Sequence, residues 1–350
     1  MSVYRVACPV AVRLSSGALL QGRVSLPFAP GRHVDTDRIG EESALWLRRW
    51  GLLGDHNAAT FARARFFDLA GRVHHGDSRF ACRLAADFIA ALFVLDDWMD
   101  ATADRASRHR GLAAARVEHL REAAHSGRAA APRDAGEGVA AALADLRQRL
   151  DAVGAPVEGW LGALDQYLNG LVEEAGRRVE GFVSVEDYAE LRAQVSAVDA
   201  CLALALAAEG EMLPAGAAAA ARQTNLCVSY VNDLFSWPKE QPLGERSNLV
   251  AVLRETAGLD PGDAFTEACR ISDATVAAYL AAVPTGRARR MMEGWMRGNY
   301  DWHALGTERY TAGLSVAPVG AEDHAPKVPN THATPAAAWS RSVHDTAACP

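Results

Sequence analysis

The side chains with chemistry to offer are carboxylates at the end of an apolar run. Positions 88–95 carry no polar side chain, and Asp96, Asp97 and Asp100 follow them. On a helix, residues four apart return to within about 40° of each other, so Asp96 and Asp100 share a face. Carboxylates this close repel, and a helix C-terminus is the wrong end for negative charge. Such a cluster is either a solvated helix end or a cation site. Oxygen-only carboxylates select hard cations, above all Mg²⁺, which binds through one or two carboxylates together with substrate phosphates.

A second oxygen-bearing pattern stands 136 positions further on: Asn232, Ser236 and Glu240 recur every fourth residue, with Lys239 beside them. On one helix the amide, hydroxyl and carboxylate face the same way. They make a weakly charged set that also suits Mg²⁺ beside phosphate oxygens. An Asn cap followed by an ordinary polar face is the plain alternative. It is the weaker reading, because Asn and Ser are mediocre helix formers with no reason to recur in register. Pro238 removes a backbone donor within this segment and is expected to kink or end the helix there, moving Glu240 off the line.

The elements that must position these residues are helices. Alanine, leucine, arginine and glutamate dominate the chain, and from Glu41 to Arg309 the apolar spacing is mostly three or four. Only Val10, Val12 and Leu14 suggest a short extended piece. Breaks are expected at 126–138, 154–156, 214–216, 242–244, 260–262 and 284–286, where Gly and Pro cluster. Ser184, followed by Glu186 and Asp187, reads as a helix start. About ten helical segments result, too many for a four-helix bundle. The fold class expected is all-α: a single large helical domain over 25–314, preceded by an N-terminal segment 1–24. Five of the fifteen prolines lie beyond Ala312, so 315–350 reads as a disordered tail.

Composition sets outer bounds. The chain has 350 residues, 49% hydrophobic and 23% charged, with a net charge of −7. That balance argues against nucleic acid as a partner. No apolar stretch reaches the roughly 20 residues of a membrane-spanning helix, and no secretory leader is evident, so stable membrane insertion is not expected. The six cysteines lack CxxC spacing and read as buried thiols of a reducing compartment, which places the protein in the cytoplasm. His74, His75 and His303 read as surface or core residues rather than ligands, and the basic run 105–110 as a solvated loop.

The two oxygen-rich clusters together resemble the motifs of the class I terpene synthases, particularly the single-domain bacterial type. Asp96, Asp97 and Asp100 fit that family's DDxxD motif, and Asn232, Asp233, Ser236, Lys239 and Glu240 its NDxxSxxxE motif. Arg192, after Tyr188, resembles the family's diphosphate-sensing arginine; Trp295, Trp302, Arg309 and Tyr310 resemble its closing tryptophans and RY pair. The likeness covers most of 25–312. It implies two helices facing across an apolar pocket, where three Mg²⁺ ions bridge Asp96, Asp97, Asp100, Asn232, Ser236 and Glu240 to the diphosphate of a prenyl substrate. Arg192, Lys239, Arg309 and Tyr310 are then expected to stabilise the departing diphosphate. Phe93 and Trp302 are the expected aromatic walls of the pocket.

Val195 and Ser196 depart from the pattern. Bacterial members often carry an acidic residue three positions after the sensor arginine and a glycine at the fourth, where a helix breaks. The implied activity is cyclisation of a prenyl diphosphate, with farnesyl diphosphate the expected substrate and a homodimer the expected extent of assembly. A chain-elongating prenyltransferase of the same fold, and a non-catalytic helical binding protein, are the competing readings. The first is disfavoured because the second cluster is not aspartate-rich.

Overall fold

A computed structural model describes residues 7–101 and 109–309, with no account of the side chains of 100, 101, 109–112, 176 and 178–180. Chain contacts divide the protein into Met1–Ser315 and Val316–Pro350. The expected tail, Tyr310, and positions 105–108 of the basic run therefore lie outside the described residues, as does the side chain of Asp100.

The described chain opens with an antiparallel hairpin, β1 (Ala7–Arg13) and β2 (Leu19–Ser25), in which Ala7 pairs with Ser25 and Arg13 with Leu19. Cys8, Val10 and Val12 alternate inward. Only the first strand was visible in the sequence pattern. The second, with Gln21, Gly22 and Arg23 at its centre, lacks the alternation that would mark it. Thirteen α-helices follow: α1 (Thr36–Arg49), α2 (Ala58–Ala64), α3 (Phe66–Val73), α4 (Arg79–Ala101), α5 (His109–Ser126), α6 (Ala135–Asp151), α7 (Glu158–Glu180), α8 (Val185–Val195), α9 (Val198–Ala208), α10 (Ala218–Glu240), α11 (Leu249–Ala257), α12 (Pro261–Ala281) and α13 (Gly286–Asp301). A π-helical turn, Trp302–Gly306, continues the last of them.

Helix starts follow local chemistry. Ser184 accepts from the Asp187 amide and starts α8, and Asp260 accepts from the amides of Gly262 and Asp263 at the start of α12. The expected break at 126–138 is shorter than its glycines imply, because Gly136 and Gly138 lie inside α6. Their role is close packing. A Cβ on Gly136 would stand 2.6 Å from the Trp98 ring, and one on Gly138 2.6 Å from the Trp50 carbonyl oxygen. Pro238 also departs from expectation, since α10 runs unbroken through it to Glu240. Proline disrupts the turn that precedes it, and here that turn is clamped by buried Leu234, Ser236 and Trp237.

The core is one continuous apolar cluster. Trp160, Trp302, Tyr188, Tyr230, Tyr279 and Phe88 are its largest fully buried side chains. α10 is central, lying against α8, α9, α11, α12, α13 and β1, while α4 packs against α1, α3, α6 and α9. By length and composition the stretch Val185–Ala208 could cross a membrane, but 61% of its apolar window is buried in the body. It is not a single helix, since α8 and α9 are broken at Ser196 and Ala197.

Candidate active site

Two helix faces meet at one cavity of about 240 Å³. α4 contributes Ile89, Leu92, Phe93 and Asp96; α10 contributes Val228, Asn232, Asp233, Lys239 and Glu240. Leu69, Tyr167, Leu171, Val195, Val198, Trp295 and Trp302 supply most of the apolar wall. Acidic and amide oxygens thus share one chamber with hydrocarbon and aromatic walls, and Glu174, Glu245 and Ser247 add to its polar lining.

The α10 face is held by a dense polar network. Asp233, 1% exposed, accepts from Arg192 Nη2 at 2.8 Å, from the Tyr188 hydroxyl at 2.5 Å and from the Leu249 amide at 3.1 Å. Arg192 Nη2 also donates to Asn232 Oδ1 at 3.1 Å. Burial works against the charge of Arg192, but the adjoining Asp233 outweighs it and holds the guanidinium protonated well beyond its usual range. Asn248 reaches in from the start of α11. Its Nδ2 donates to Glu240 Oε2 at 2.9 Å and to the Asp233 carbonyl oxygen at 2.9 Å. Desolvation, reinforced by Asp233, pushes the Glu240 carboxyl up to about 7, and a cation would relieve that penalty.

Across the cavity, Asp96 and Asp97 are half exposed. Asp96 lines the chamber, whereas Asp97 accepts from Arg309 Nη2 at 2.9 Å. The Arg309 guanidinium lies over the rings of Phe93, at 4.8 Å, and Phe66, at 5.6 Å, and these two rings stack with centroids 4.1 Å apart. Trp302 is fully buried, and its indole N–H donates to the Ala64 carbonyl oxygen at 3.0 Å and that of Arg65 at 3.2 Å. The αL backbone of Arg65 turns both carbonyls toward it.

The sequence-derived residues divide clearly. Phe93, Asp96, Arg192, Val195, Ser196, Asn232, Lys239, Glu240, Trp302 and Arg309 share the cavity. Ser236 is not among the lining residues; it is buried, with its hydroxyl donating to the Asp233 carbonyl oxygen at 3.4 Å. Although Val195 and Ser196 depart from the family pattern, a helix break is present at 196–197 without glycine. Ala197 takes the left-handed conformation itself, at φ 59°. Asn225 compensates locally: its Nδ2 donates to the Ala193 carbonyl oxygen at 2.8 Å, and its Oδ1 accepts from Ser196 Oγ at 2.6 Å.

Asn248 escaped the sequence reading, and His303 was read there only as a surface or core residue. Asn248 anchors Glu240 and His303 bonds Asn232, while Asp233 and Trp295, both named in the family-like motifs, serve as an anchor and a wall. His303 is buried, and desolvation holds its imidazole down to about 4, so the ring is neutral. Asn248 has no signal in the sequence, whereas Asp233 and Trp295 have theirs in the family-like motifs. Among the described residues no three His, Cys, Asp or Glu side chains converge as a self-sufficient metal cage. The donors present fit a hard divalent cation that completes its shell with water and substrate oxygens.

A predominantly α-helical body with two oxygen-bearing helices facing one chamber that has apolar and aromatic walls defines the class I terpene synthase fold. Residues 87–278 match the family described as terpene synthase family 2, C-terminal metal binding, and the chain belongs to that family. It is 28% identical over 310 residues to a (+)-T-muurolol synthase, (2E,6E)-farnesyl diphosphate cyclizing, of Roseiflexus castenholzii, covering 82% of this chain and 93% of that one. A (+)-(1(10)E,4E,6S,7R)-germacradien-6-ol synthase of Streptomyces pratensis is 27% identical over 310 residues, covering 81% and 85%. Among solved structures, a cucumene synthase variant aligns at TM-score 0.68 with 24% identity over 81% of this chain and 99% of its own. Hedycaryol synthase in complex with nerolidol aligns at TM-score 0.64 with 18% identity, over 79% and 98%.

Proposed function

We propose that the protein ionises and cyclises farnesyl diphosphate, releasing diphosphate and a terpene hydrocarbon or alcohol. The observation that carries this reading is the meeting of Asp96 on α4 with Asn232 and Glu240 on α10 in one cavity that also has apolar and aromatic walls. Mg²⁺, three ions by family likeness, is the expected cofactor and supplies charge neutralisation of the leaving diphosphate when bound. Asp96, Asp97, Asp100, Asn232, Ser236 and Glu240 are the proposed holders. Ser236 serves from behind the face, since its hydroxyl does not line the chamber.

The chain's own groups account for the rest. Arg192 and Lys239 present positive charge from the α8 and α10 side, and Arg309 from the C-terminal side, with Tyr310 next to it in sequence. Negative charge gathering on the departing group strengthens all of these contacts. Phe93, Trp295 and Trp302 offer aromatic surface to an allylic cation, and Leu92, Leu171, Val195 and Val198 keep water from it. The relatives that cyclise (2E,6E)-farnesyl diphosphate support a fifteen-carbon substrate. The described cysteines are buried thiols, as suits a reducing compartment, and this supports a cytoplasmic location.

Incubation with Mg²⁺ and, separately, geranyl, farnesyl and geranylgeranyl diphosphate tests this, with gas chromatography of the extract. Cyclic fifteen-carbon product from farnesyl diphosphate is expected. A longer diphosphate formed when isopentenyl diphosphate is added would instead identify a chain-elongating enzyme.

A further inference from the structure

Asn232 carries an amide whose two ends have the same shape and opposite chemistry. Only Oδ1 can serve a cation or accept from a guanidinium, so the orientation of the amide matters. The structure determines it from both sides. Arg192 has donors only, and its Nη2 lies 3.1 Å from Oδ1. Nδ2 points the other way, 3.2 Å from His303 Nε2. An amide NH₂ cannot accept, so His303 Nε2 must be the acceptor. His303 Nδ1 lies 2.8 Å from the Asn299 carbonyl oxygen, which cannot donate, so Nδ1 carries the proton. One neutral tautomer satisfies both contacts. The ring is also confined, stacked on Phe235 at 5.1 Å and edge-on to Trp302 at 4.7 Å. One turn away a second rung ties the same two elements, Asn299 Nδ2 donating to the Val228 carbonyl oxygen at 3.1 Å.

We propose that His303 is a positioning residue of the cation site: by accepting from Asn232 Nδ2 it keeps Oδ1 turned toward Arg192 and the cavity before any ligand arrives. The proposal rests on the reading that Asn232 serves the cation–diphosphate site. Without His303, the Nδ2 end loses the acceptor that opposes the pull of Arg192 on Oδ1. The placement depends on the π-helical turn Trp302–Gly306, a feature often found at functional sites, which seats Trp302 against the aromatic wall while His303 faces α10.

The test measures binding of Mg²⁺ with inorganic pyrophosphate by titration calorimetry, after melting curves of each metal-free protein. His303→Asn keeps a donor for Asn299 but is too short to reach Asn232. It is expected to weaken Mg²⁺ binding by about 10–100-fold, the usual loss for a group that orients a metal ligand. His303→Gln places a side-chain carbonyl near the position of Nε2 and is expected to restore binding to near the wild-type value. On an Asn232→Ala background, itself impaired, His303→Asn should add no further loss. A lowered melting temperature with unchanged Mg²⁺ affinity makes His303 a packing residue and overturns the proposal; so does failure of His303→Gln to rescue, or full additivity with Asn232→Ala. If the wild-type protein binds no Mg²⁺ with pyrophosphate, the cation-site reading of Asn232 falls and this proposal with it. Wild-type binding that His303→Asn leaves intact overturns this proposal alone.

Discussion

Asp233 and Asp96 both belong to acidic motifs and both line the cavity, yet isosteric replacement should affect them in opposite ways. The Asp233 carboxylate is 1% exposed and accepts from the Arg192 guanidinium, the Tyr188 hydroxyl and the Leu249 amide. Asp233→Asn keeps the volume but puts an NH₂ where one set of donors points, and leaves the Arg192 charge buried without its counter-ion. Breaking a buried pair in this way costs about 3–5 kcal/mol. At roughly 2 °C per kcal/mol for a body of this size, the melting temperature should fall by about 6–10 °C without any metal present. The Asp96 side chain is 49% exposed and its nearest Arg309 nitrogen is 4.0 Å away, a contact worth well under about 1 kcal/mol. Asp96→Asn also relieves repulsion with Asp97, so its metal-free melting temperature should stay within about 2 °C of wild type or rise. The stabilisation that Mg²⁺ and pyrophosphate confer should, however, be lost. Scanning fluorimetry of both variants, with and without Mg²⁺ and pyrophosphate, reads both effects. Should Asp233→Asn melt like the wild type while losing its metal response, Asp233 would be a ligand and its role as an anchor would be refuted.

Two further outcomes follow from the broken helix between α8 and α9. Burial raises the Asp199 carboxyl to about 6, partly offset by Asn225 and Arg222, and its Oδ1 has no hydrogen-bond partner among the described residues. An acid whose folded value is raised carries no penalty below about pH 4 and the full penalty once pH exceeds the folded value. Asp199→Asn should therefore stabilise the protein by about 1–3 kcal/mol at pH 8 and leave it unchanged at pH 4. Urea melts at the two pH values check this, and an equal gain at both would contradict it. Ala197 holds φ 59°, where an alanine costs about 1–2 kcal/mol and a glycine almost nothing. After the extra unfolded-state freedom of glycine is set against this, Ala197→Gly should gain about 0.5–1 kcal/mol in the same assay, and a loss would show that the left-handed turn is not strained.

Much of the site was legible because its chemistry is local. Asp96 and Asp97 end an apolar run, and Asn232, Ser236 and Glu240 recur at helical spacing, so their faces can be read from one helix at a time. Ser184 and Asp260 announced their helices through caps that act within three residues. The second strand was missed because Gln21, Gly22 and Arg23 do not alternate, and pairing with β1 supplies what propensity does not. Gly136 and Gly138 were misplaced because a glycine that admits a neighbouring ring or carbonyl looks the same in sequence as one that makes a turn. Pro238 misled for a similar reason, since the packing that holds its turn comes from other helices.

The sequence by itself determined that this is a helical protein with two oxygen-rich helix faces, because helical periodicity and the charge at helix ends are properties of neighbouring residues. Only the tertiary structure decided which of those oxygens look into the chamber. Asn248 and His303 meet Glu240 and Asn232 through hydrogen bonds only a few ångströms long, and each spans parts of the chain whose proximity exists only after folding. Such contacts depend on where α10, α11 and the turn after α13 come to rest against one another. No pattern along the chain encodes that position directly.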